Sequence, residues 1–135
     1  MNEELSFELR LRYSYEQALG RVLDELKKEG FAVLTRIDLH KAFKEKLGRD
    51  FRPYSILGAC NPQLAYRALN RRADIGLLLP CNITIEADPE GGSLVRIANP
   101  DVLIGSSFGS DGVLRDVAAE AFARLTRVAE SLGAA

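Results

Sequence analysis

The segment of residues 53–87 constrains the fold most, because in it an apolar strand leads directly into a helix start. Residues 54–60 read as an apolar strand, and Asn61-Pro62 follows at once. Asparagine is a favoured helix N-cap and proline a favoured first helical residue, so the pair predicts a helix beginning at Pro62. The thiol of Cys60 is therefore expected to lie at the N-terminus of that helix.

Alternating and capped patterns predict the elements before this segment. Strict alternation over residues 5–13 predicts a half-buried strand, and a second strand is expected at residues 31–37. Ser14 with Gln17 forms a capping-box pattern for a helix that ends at Gly30. A shorter helix is predicted from Asp38, as its cap, to Gly48. Its inward residues would be Leu39, Ala42, Phe43 and Leu47, and its outer face would carry His40, Lys41, Lys44 and Lys46.

After the helix of residues 62–72 the pattern becomes strand-rich. Residues 75–87 read as an extended run, which Pro80 either interrupts or places at a sheet edge because proline cannot donate to a ladder. Residues 88–93 are predicted to form a turn that leads to a hairpin partner at residues 94–98. A short apolar piece follows at residues 102–104, and residues 105–112 are predicted to be flexible. A closing helix carries one apolar seam, formed by Leu114, Ala118, Ala121, Leu125, Val128 and Leu132.

Length and composition are those of an ordinary globular domain. The 135 residues suffice for one domain, predicted to span residues 1–135. No apolar run approaches the ~20 residues of a membrane helix, and the first ten residues lack the basic and apolar regions of a secretory signal. We therefore expect a cytoplasmic protein with no membrane partner. A net charge of −1 gives no general attraction to nucleic acid.

Both cysteines, Cys60 and Cys81, fall in the central segment. A thiol at a helix N-terminus meets unpaired amide protons and the positive end of the helix dipole, which predicts a lowered pKa for Cys60. The alternative is that Cys60 packs as a small apolar residue. Their separation is too wide for a CxxC motif, and no further Cys or His completes a zinc site, so no metal ligands are predicted.

Other chemical motifs find no support. The run of residues 105–109 matches the G-x-S-x-G pattern of a hydrolase nucleophile, but the one histidine, His40, lies upstream on a charged helix face. Basic residues on two helices lack interleaved aromatic side chains, so nucleic acid binding is not expected. The sequence indicates no catalytic residue and no particular cofactor, and whether the chain is an enzyme stays open.

The motif Gly58-Ala59-Cys60-Asn61-Pro62, followed by Leu79-Pro80-Cys81, resembles the pattern of the domain of unknown function 302 family. The similarity extends over nearly the whole chain. It implies a small α+β domain, a dimeric assembly, and no assigned activity or cofactor.

Together these patterns predict an α+β fold, a two-layer sandwich in which a mixed or antiparallel sheet packs helices on one face. The other face, with Ser6, Glu8, Arg10 and Arg12, would stay more open and would suit a homodimer. The leading hypothesis is a binding module for an anionic or thiol-reactive small molecule. Its alternatives are a thiol redox protein using the two cysteines and a structural or interaction subunit. The pocket is expected between the helix start at Cys60-Asn61-Pro62 and the facing Leu79-Pro80-Cys81, and its predicted ligand-binding residues are Cys60, Asn61, Pro62, Pro80 and Cys81.

Overall fold

The computed structural model describes residues 4–134, and in this range the chain forms a five-stranded sheet with helices. Every neighbouring pair of strands is antiparallel. The elements in chain order are β1 (Ser6–Leu11), α1 (Tyr15–Lys28), β2 (Ala32–Asp38), α2 (Leu39–Leu47), β3 (Tyr54–Cys60), α3 (Pro62–Arg71), a 3-10 helix (Ala73–Leu78), β4 (Cys81–Ala87), β5 (Ser93–Ala98), α4 (Pro100–Phe108) and α5 (Gly112–Ala134).

The strand order is β1-β5-β4-β3-β2, which leaves β1 and β2 at the edges. Helices α1 and α5 pack against one face of the sheet. The predicted α+β class, with helices packed on one face of the sheet, is therefore confirmed, and the sheet is antiparallel throughout. None of the helices within residues 4–134 is long and apolar enough to span a membrane.

Local signals explain why the helices begin where they do. The Ser14 hydroxyl accepts from the Gln17 backbone N–H and the Gln17 side chain accepts from the Ser14 N–H, as the capping box predicts. Asn61 Oδ1 accepts from the Leu64 N–H at 3.2 Å, with Pro62 as the first residue of α3. These caps satisfy amide groups that a helix start otherwise leaves unpaired.

Two apolar clusters stabilise the domain. The main core lies between the sheet and helices α1 and α5, and includes Leu26, Ile83 and Leu125. The second core lies beyond one end of the sheet, among α3, α4, the 3-10 helix and the first half of α5. All six residues of the predicted seam on α5 are buried, and they divide between the two cores. Helix α5 thus joins the two parts of the domain.

The sheet face opposite α1 and α5, called the open face below, carries the alternate residues of each strand. One row across it consists of Ile37, Ile56, Thr84, Arg96 and Glu8, since these residues pair across the five strands. Ile37 is 49% exposed. The sequence prediction of a more open face is confirmed.

The extended run predicted for residues 75–87 is wrong in its first half. Ala73–Leu78 is a 3-10 helix, and β4 begins only at Cys81, after a cis peptide bond between Leu79 and Pro80. The apolar residues of this stretch do not line one face of a strand. Ile75 is fully buried in the second core, whereas Leu77 is 88% exposed. Pro80 interrupts the strand and is not at a sheet edge, since β4 lies between β3 and β5.

The apolar piece and flexible stretch predicted before residue 112 form a helix instead. Helix α4 runs over Pro100–Phe108, and Asn99 Oδ1 accepts from the Asp101 N–H at 3.0 Å. Ile104 from this helix is buried in the second core. The glycine and serine residues that suggested flexibility are tolerated because the helix packs against α5.

Helix α2 differs from its predicted orientation. Asp38 makes no capping bond; its carboxylate accepts from Arg36 Nε at 2.9 Å and from the Ser55 hydroxyl at 2.5 Å. The four residues predicted to face inward are not buried, because α2 lies at the margin of the sheet. His40 is half-buried, contrary to prediction, and its Nδ1 accepts from the Tyr54 N–H at 3.0 Å.

Candidate functional site

The five predicted site residues lie in three separate places. Cys60, Asn61 and Cys81 line one cavity, called the inner cavity below. Pro62 lines a different concavity on the outer side of the α3 N-terminus. Pro80 lines a third groove together with the exposed Leu77. The expected single pocket between the α3 start and the Leu79-Pro80 turn is therefore not one site.

The inner cavity lies where β3, β4, α3, α4 and α5 meet. Ala59 of β3 is opposite Cys81 of β4, and Cys60 is the residue that follows Ala59, so both cysteines lie at the same end of these two strands. Both cysteines are free and half-buried. The remaining wall is almost wholly apolar, formed by Phe31, Ala59, Leu64, Ala65, Ala68, Leu79, Pro100, Ile104, Val117 and Ala121.

The inner cavity measures only about 30 Å³. A single water needs at least ~10–15 Å³ on the same measure, whereas pockets for small organic ligands span roughly 300–1,000 Å³. The inner cavity is thus of atomic size and does not admit an organic molecule.

Burial governs the acidity of both thiols. It raises the pKa of Cys60 above its ordinary value, so the lowered pKa predicted from the helix N-terminus is wrong. Burial, with a smaller contribution from the neighbouring Cys60, raises the pKa of Cys81 to about 11. The apolar wall has this effect because desolvation penalises a thiolate directly. Both thiols are therefore protonated at neutral pH.

The outer concavity is lined by Gly30, Asn61, Pro62, Gln63 and Arg124 and has a volume of about 370 Å³. It opens at the N-terminus of α3, where the helix dipole places partial positive charge. No acidic side chain lines it. Its size falls within the range of small-molecule pockets.

Arg124 reaches the outer concavity from α5. Its Nη1 donates to the Glu29 carbonyl at 2.9 Å, which fixes the guanidinium next to the end of α1. Its Nε and Nη2 contact Glu120 at 3.1 Å, one helical turn earlier. Glu120 is 45% exposed, and an i,i+4 pair at such exposure contributes little. The guanidinium thus keeps donors for a further acceptor.

Gly30 leaves room for that acceptor. Its φ is +83°, and a Cβ built on it would lie 3.2 Å from Asn61 Nδ2 and 3.6 Å from Arg124 Nη1. Asn61 is 9% exposed, and its Nδ2 has no hydrogen-bond partner among residues 4–134. Two nitrogen donors from distant parts of the chain therefore lie beside Gly30.

The sequence indicated only Asn61 and Pro62 of the residues that line this concavity. Gly30 was predicted as a helix stop and Gln63 as an ordinary residue of α3. Arg124 stands 94 residues after Gly30, and its role depends wholly on how α5 packs against the end of α1. No local pattern distinguishes it from the other arginines of α5.

This geometry defines a two-layer α+β domain with a concavity of ligand size at a helix N-terminus. The family model described as "Domain of unknown function DUF302" matches residues 7–132, so the chain belongs to that family, as the motif resemblance predicted. It is similar to the protein in the crystal structure of an uncharacterized conserved DUF302 protein from Bacillus stearothermophilus. The identity is 29%, the TM-score is 0.84, and the match covers 95% of this chain and 98% of that one. No curated protein matches the chain significantly.

Proposed function

We propose that this domain is a small-molecule-binding module that holds an anionic group in the outer concavity. The observation that carries the proposal is that Asn61 Nδ2 and Arg124 Nη1 both line the concavity beside Gly30, at 3.2 Å and 3.6 Å from the position of a Cβ added to that glycine. A carboxylate or phosphate oxygen bound in the concavity between these two nitrogens would accept from both. Of the predicted site residues, Asn61 and Pro62 belong to this site; Cys60, Pro80 and Cys81 do not line it.

The charge of the surroundings favours an anion over a neutral ligand. Arg124 supplies a full positive charge, and the α3 N-terminus adds a partial one. Charge-assisted hydrogen bonds contribute roughly 1.5–3 kcal/mol each, about twice a neutral one. With about 370 Å³ available, the anionic group would occupy the floor beside Gly30 and leave space for the rest of a small molecule.

Gly30→Ala is expected to weaken binding of inorganic phosphate at least tenfold, because the added methyl group would lie against Asn61 Nδ2 and Arg124 Nη1 and keep the phosphate oxygen away from them. Loss of one charge-assisted hydrogen bond, ~1.5 kcal/mol or more, corresponds to that factor. The measurement is a phosphate titration followed by the amide resonances of residues 30 and 63. Gly48→Ala is the matched control, since Gly48 also follows a helix with positive φ but has no atom within 4 Å of its added Cβ.

Two substitutions test the role of the guanidinium charge directly, one at Arg124 and one at its partner Glu120. Arg124→Gln should weaken phosphate binding by about tenfold to a hundredfold, and Glu120→Gln should strengthen it, because Glu120 competes for Nε and Nη2. If Gly30→Ala and Gly48→Ala bind phosphate equally, or if phosphate shifts no resonance near residue 30, the proposed site is wrong.

The thiol redox alternative is less favoured by the geometry. Thiolate is the reactive form of cysteine, and burial raises the pKa of both Cys60 and Cys81. Their shared cavity nonetheless makes disulfide formation testable by the mass of the air-oxidised protein, which would fall by two hydrogens per chain.

For the assembly we propose a homodimer formed through the open face. The charged groups on this face already neutralise one another: the buried Glu86 accepts from Arg52 and from Arg96, and Arg96 also pairs with Glu8. Burial opposes ionisation of Glu86, but the hydrogen bonds from Arg96 and Arg52 outweigh it and hold its pKa below the usual value. Two copies of this face therefore would not repel each other through these four charged groups.

The size of the open face agrees with this partner. Five strands about 4.8 Å apart and six residues of roughly 3.3 Å each give a footprint near 480 Å² per copy, or about 1,000 Å² for two, the lower bound of specific interfaces. Ile37 contributes exposed apolar surface on the face, and Leu77, 88% exposed, stands beside the groove at one end of it.

Ile37→Lys is expected to dissociate the dimer, because a lysine there would bury an unpaired charge against the partner copy. Sedimentation equilibrium at micromolar concentration should show a dimer for the unchanged protein and a monomer for the variant. Leu47→Lys is the control, since Leu47 is 65% exposed on α2 and away from the sheet. A monomeric unchanged protein, or a dimer that tolerates Ile37→Lys, would contradict the interface.

A further inference from the structure

Arg67 of α3 stands beside the outer concavity without a hydrogen-bonded acidic partner among residues 4–134. It follows Gln63, which lines the concavity, by one helical turn, so the two side chains share a face of α3. Its ion pair with Glu120 on α5 is 3.9 Å long, which is too far for a hydrogen bond. Arg71, one turn further along α3, instead donates to Asp111 at 2.7 Å. Arg67 therefore keeps its donors for another acceptor.

Glu120 lies between Arg67 and Arg124. Its Oε2 accepts from Nε and Nη2 of Arg124 at 3.1 Å, and its Oε1 is the atom 3.9 Å from Arg67 Nη1. One carboxylate thus spans the two guanidinium groups, so both are within reach of a single small anionic group. Glu120 is 45% exposed, and its side chain can turn into water at little cost because exposed ion pairs contribute little stability.

Arg124 uses different nitrogens toward the concavity and toward Glu120. Its Nη1 lies beside Asn61 Nδ2 and 3.6 Å from the position of a Cβ added to Gly30, whereas Nε and Nη2 contact the Glu120 carboxylate. A guanidinium has five N–H donors in a planar fork, so it binds acceptors on more than one edge at once. An anionic group bound at Nη1 would therefore lie next to the place that the Glu120 carboxylate occupies.

We propose that the ligand of the outer concavity carries two adjacent anionic groups, as in a diphosphate. One group accepts from Asn61 Nδ2 and Arg124 Nη1. The second replaces the Glu120 carboxylate and accepts from Nε and Nη2 of Arg124 and from Arg67. This inference rests on the anion site proposed above, and it specifies the class of ligand that the site takes.

The charges around the site agree with a ligand of this class. With Glu120 in place, its negative charge offsets one of the two arginines and leaves one positive charge for a ligand. When a second anionic group displaces the carboxylate, the full charges of both Arg67 and Arg124 act on the ligand, and the α3 N-terminus adds a partial positive charge. A ligand with one anionic group leaves Glu120 in place and does not use Arg67.

The test compares inorganic phosphate with pyrophosphate, each titrated into the full-length protein at constant ionic strength without divalent cations. The amide resonances of residues 30 and 63 report the binding. Pyrophosphate should bind at least about tenfold more tightly than phosphate, because the second group gains charge-assisted hydrogen bonds. Arg67→Gln should remove this gain and leave the affinity for phosphate unchanged within about twofold. Glu120→Gln should strengthen pyrophosphate binding.

Arg71→Gln is the matched control for Arg67→Gln. It removes the same charge from the same helix one turn away, where Arg71 is paired with Asp111, and it should leave both affinities unchanged. Arg67 is 46% exposed and Arg71 57% exposed, so neither substitution disturbs the core. The amide spectrum of each variant outside the concavity checks that the fold is retained.

Two outcomes overturn the inference and leave the anion site standing. In the first, phosphate shifts the resonances near residue 30 but pyrophosphate binds no more tightly. In the second, Arg67→Gln and Arg71→Gln weaken pyrophosphate binding equally, which would indicate general charge attraction instead of a direct contact. If neither ion shifts a resonance near residue 30, the anion site itself is wrong, and the two-group ligand is wrong with it.

Discussion

Replacing Gly92 with alanine is expected to lower the free energy of unfolding by roughly 3 kcal/mol, because backbone strain of ~1–2 kcal/mol adds to overpacking of ~1–3 kcal/mol. Gly92 has a φ of +79° in the turn between β4 and β5, and its added Cβ would lie 2.2 Å from the Leu11 carbonyl oxygen. That oxygen belongs to β1, whose Leu11 pairs with Ser93, so it cannot move away without disturbing the sheet. Urea unfolding followed by circular dichroism measures the change.

Gly91→Ala is the matched control for this prediction. Gly91 lies in the same turn with a φ of +102°, but its added Cβ has no atom within 4 Å. Only the backbone strain of ~1–2 kcal/mol should remain in that variant. If the two variants lose the same free energy of unfolding, the close approach of Gly92 to β1 contributes nothing to the effect.

In the native, reduced protein without added metal, Cys81 is expected to react with iodoacetamide at pH 8 at least about a hundredfold more slowly than a free thiol. Its pKa is raised to about 11, chiefly by burial and further by Cys60. At pH 8 only about one Cys81 in a thousand is then a thiolate, against roughly a quarter of free thiols with a pKa near 8.5. A raised pKa delays deprotonation, so the rate should still rise about tenfold per pH unit up to pH 10.

Peptide mass spectrometry at timed intervals separates the two sites in the unchanged protein. Cys60, whose pKa burial also raises, should react more slowly than a free thiol as well. In denaturant both cysteines should label at the free-thiol rate, which is the control for reagent and accessibility. Labelling of native Cys81 at the free-thiol rate at pH 8 would contradict its burial and would revive the redox alternative.

The parts of the fold that the sequence predicted correctly are those with local causes. The capping box of Ser14 and the Asn61-Pro62 start of α3 depend on residues within one helical turn, so their geometry is already fixed by neighbours in the chain. The alternation in β1 and β4 and the apolar seam on α5 could likewise be predicted from the sequence. Burial of one face imposes a period of two residues in a strand and of about 3.6 residues in a helix.

One local signal was present and overlooked. Asn99-Pro100 repeats the Asn61-Pro62 arrangement and starts α4 in the same way, with a side-chain oxygen accepting from the first turn. The glycine and serine residues that follow suggested a loop. Packing of Ile104 into the second core overrides their weak helix propensity, and that packing partner lies on other elements.

The candidate sites divide in the same way. The chain alone determined that a helix begins at Pro62 and that Cys60 stands just before it, since both depend on near neighbours in sequence. Tertiary structure alone decided that Arg124 stands beside Gly30 and Asn61, and that Cys60 and Cys81 share an apolar cavity of atomic size. It also reversed the expected pKa shift of Cys60, because the desolvating wall comes from strands and helices far away in sequence, whereas the dipole that would lower the pKa comes from the adjacent residues.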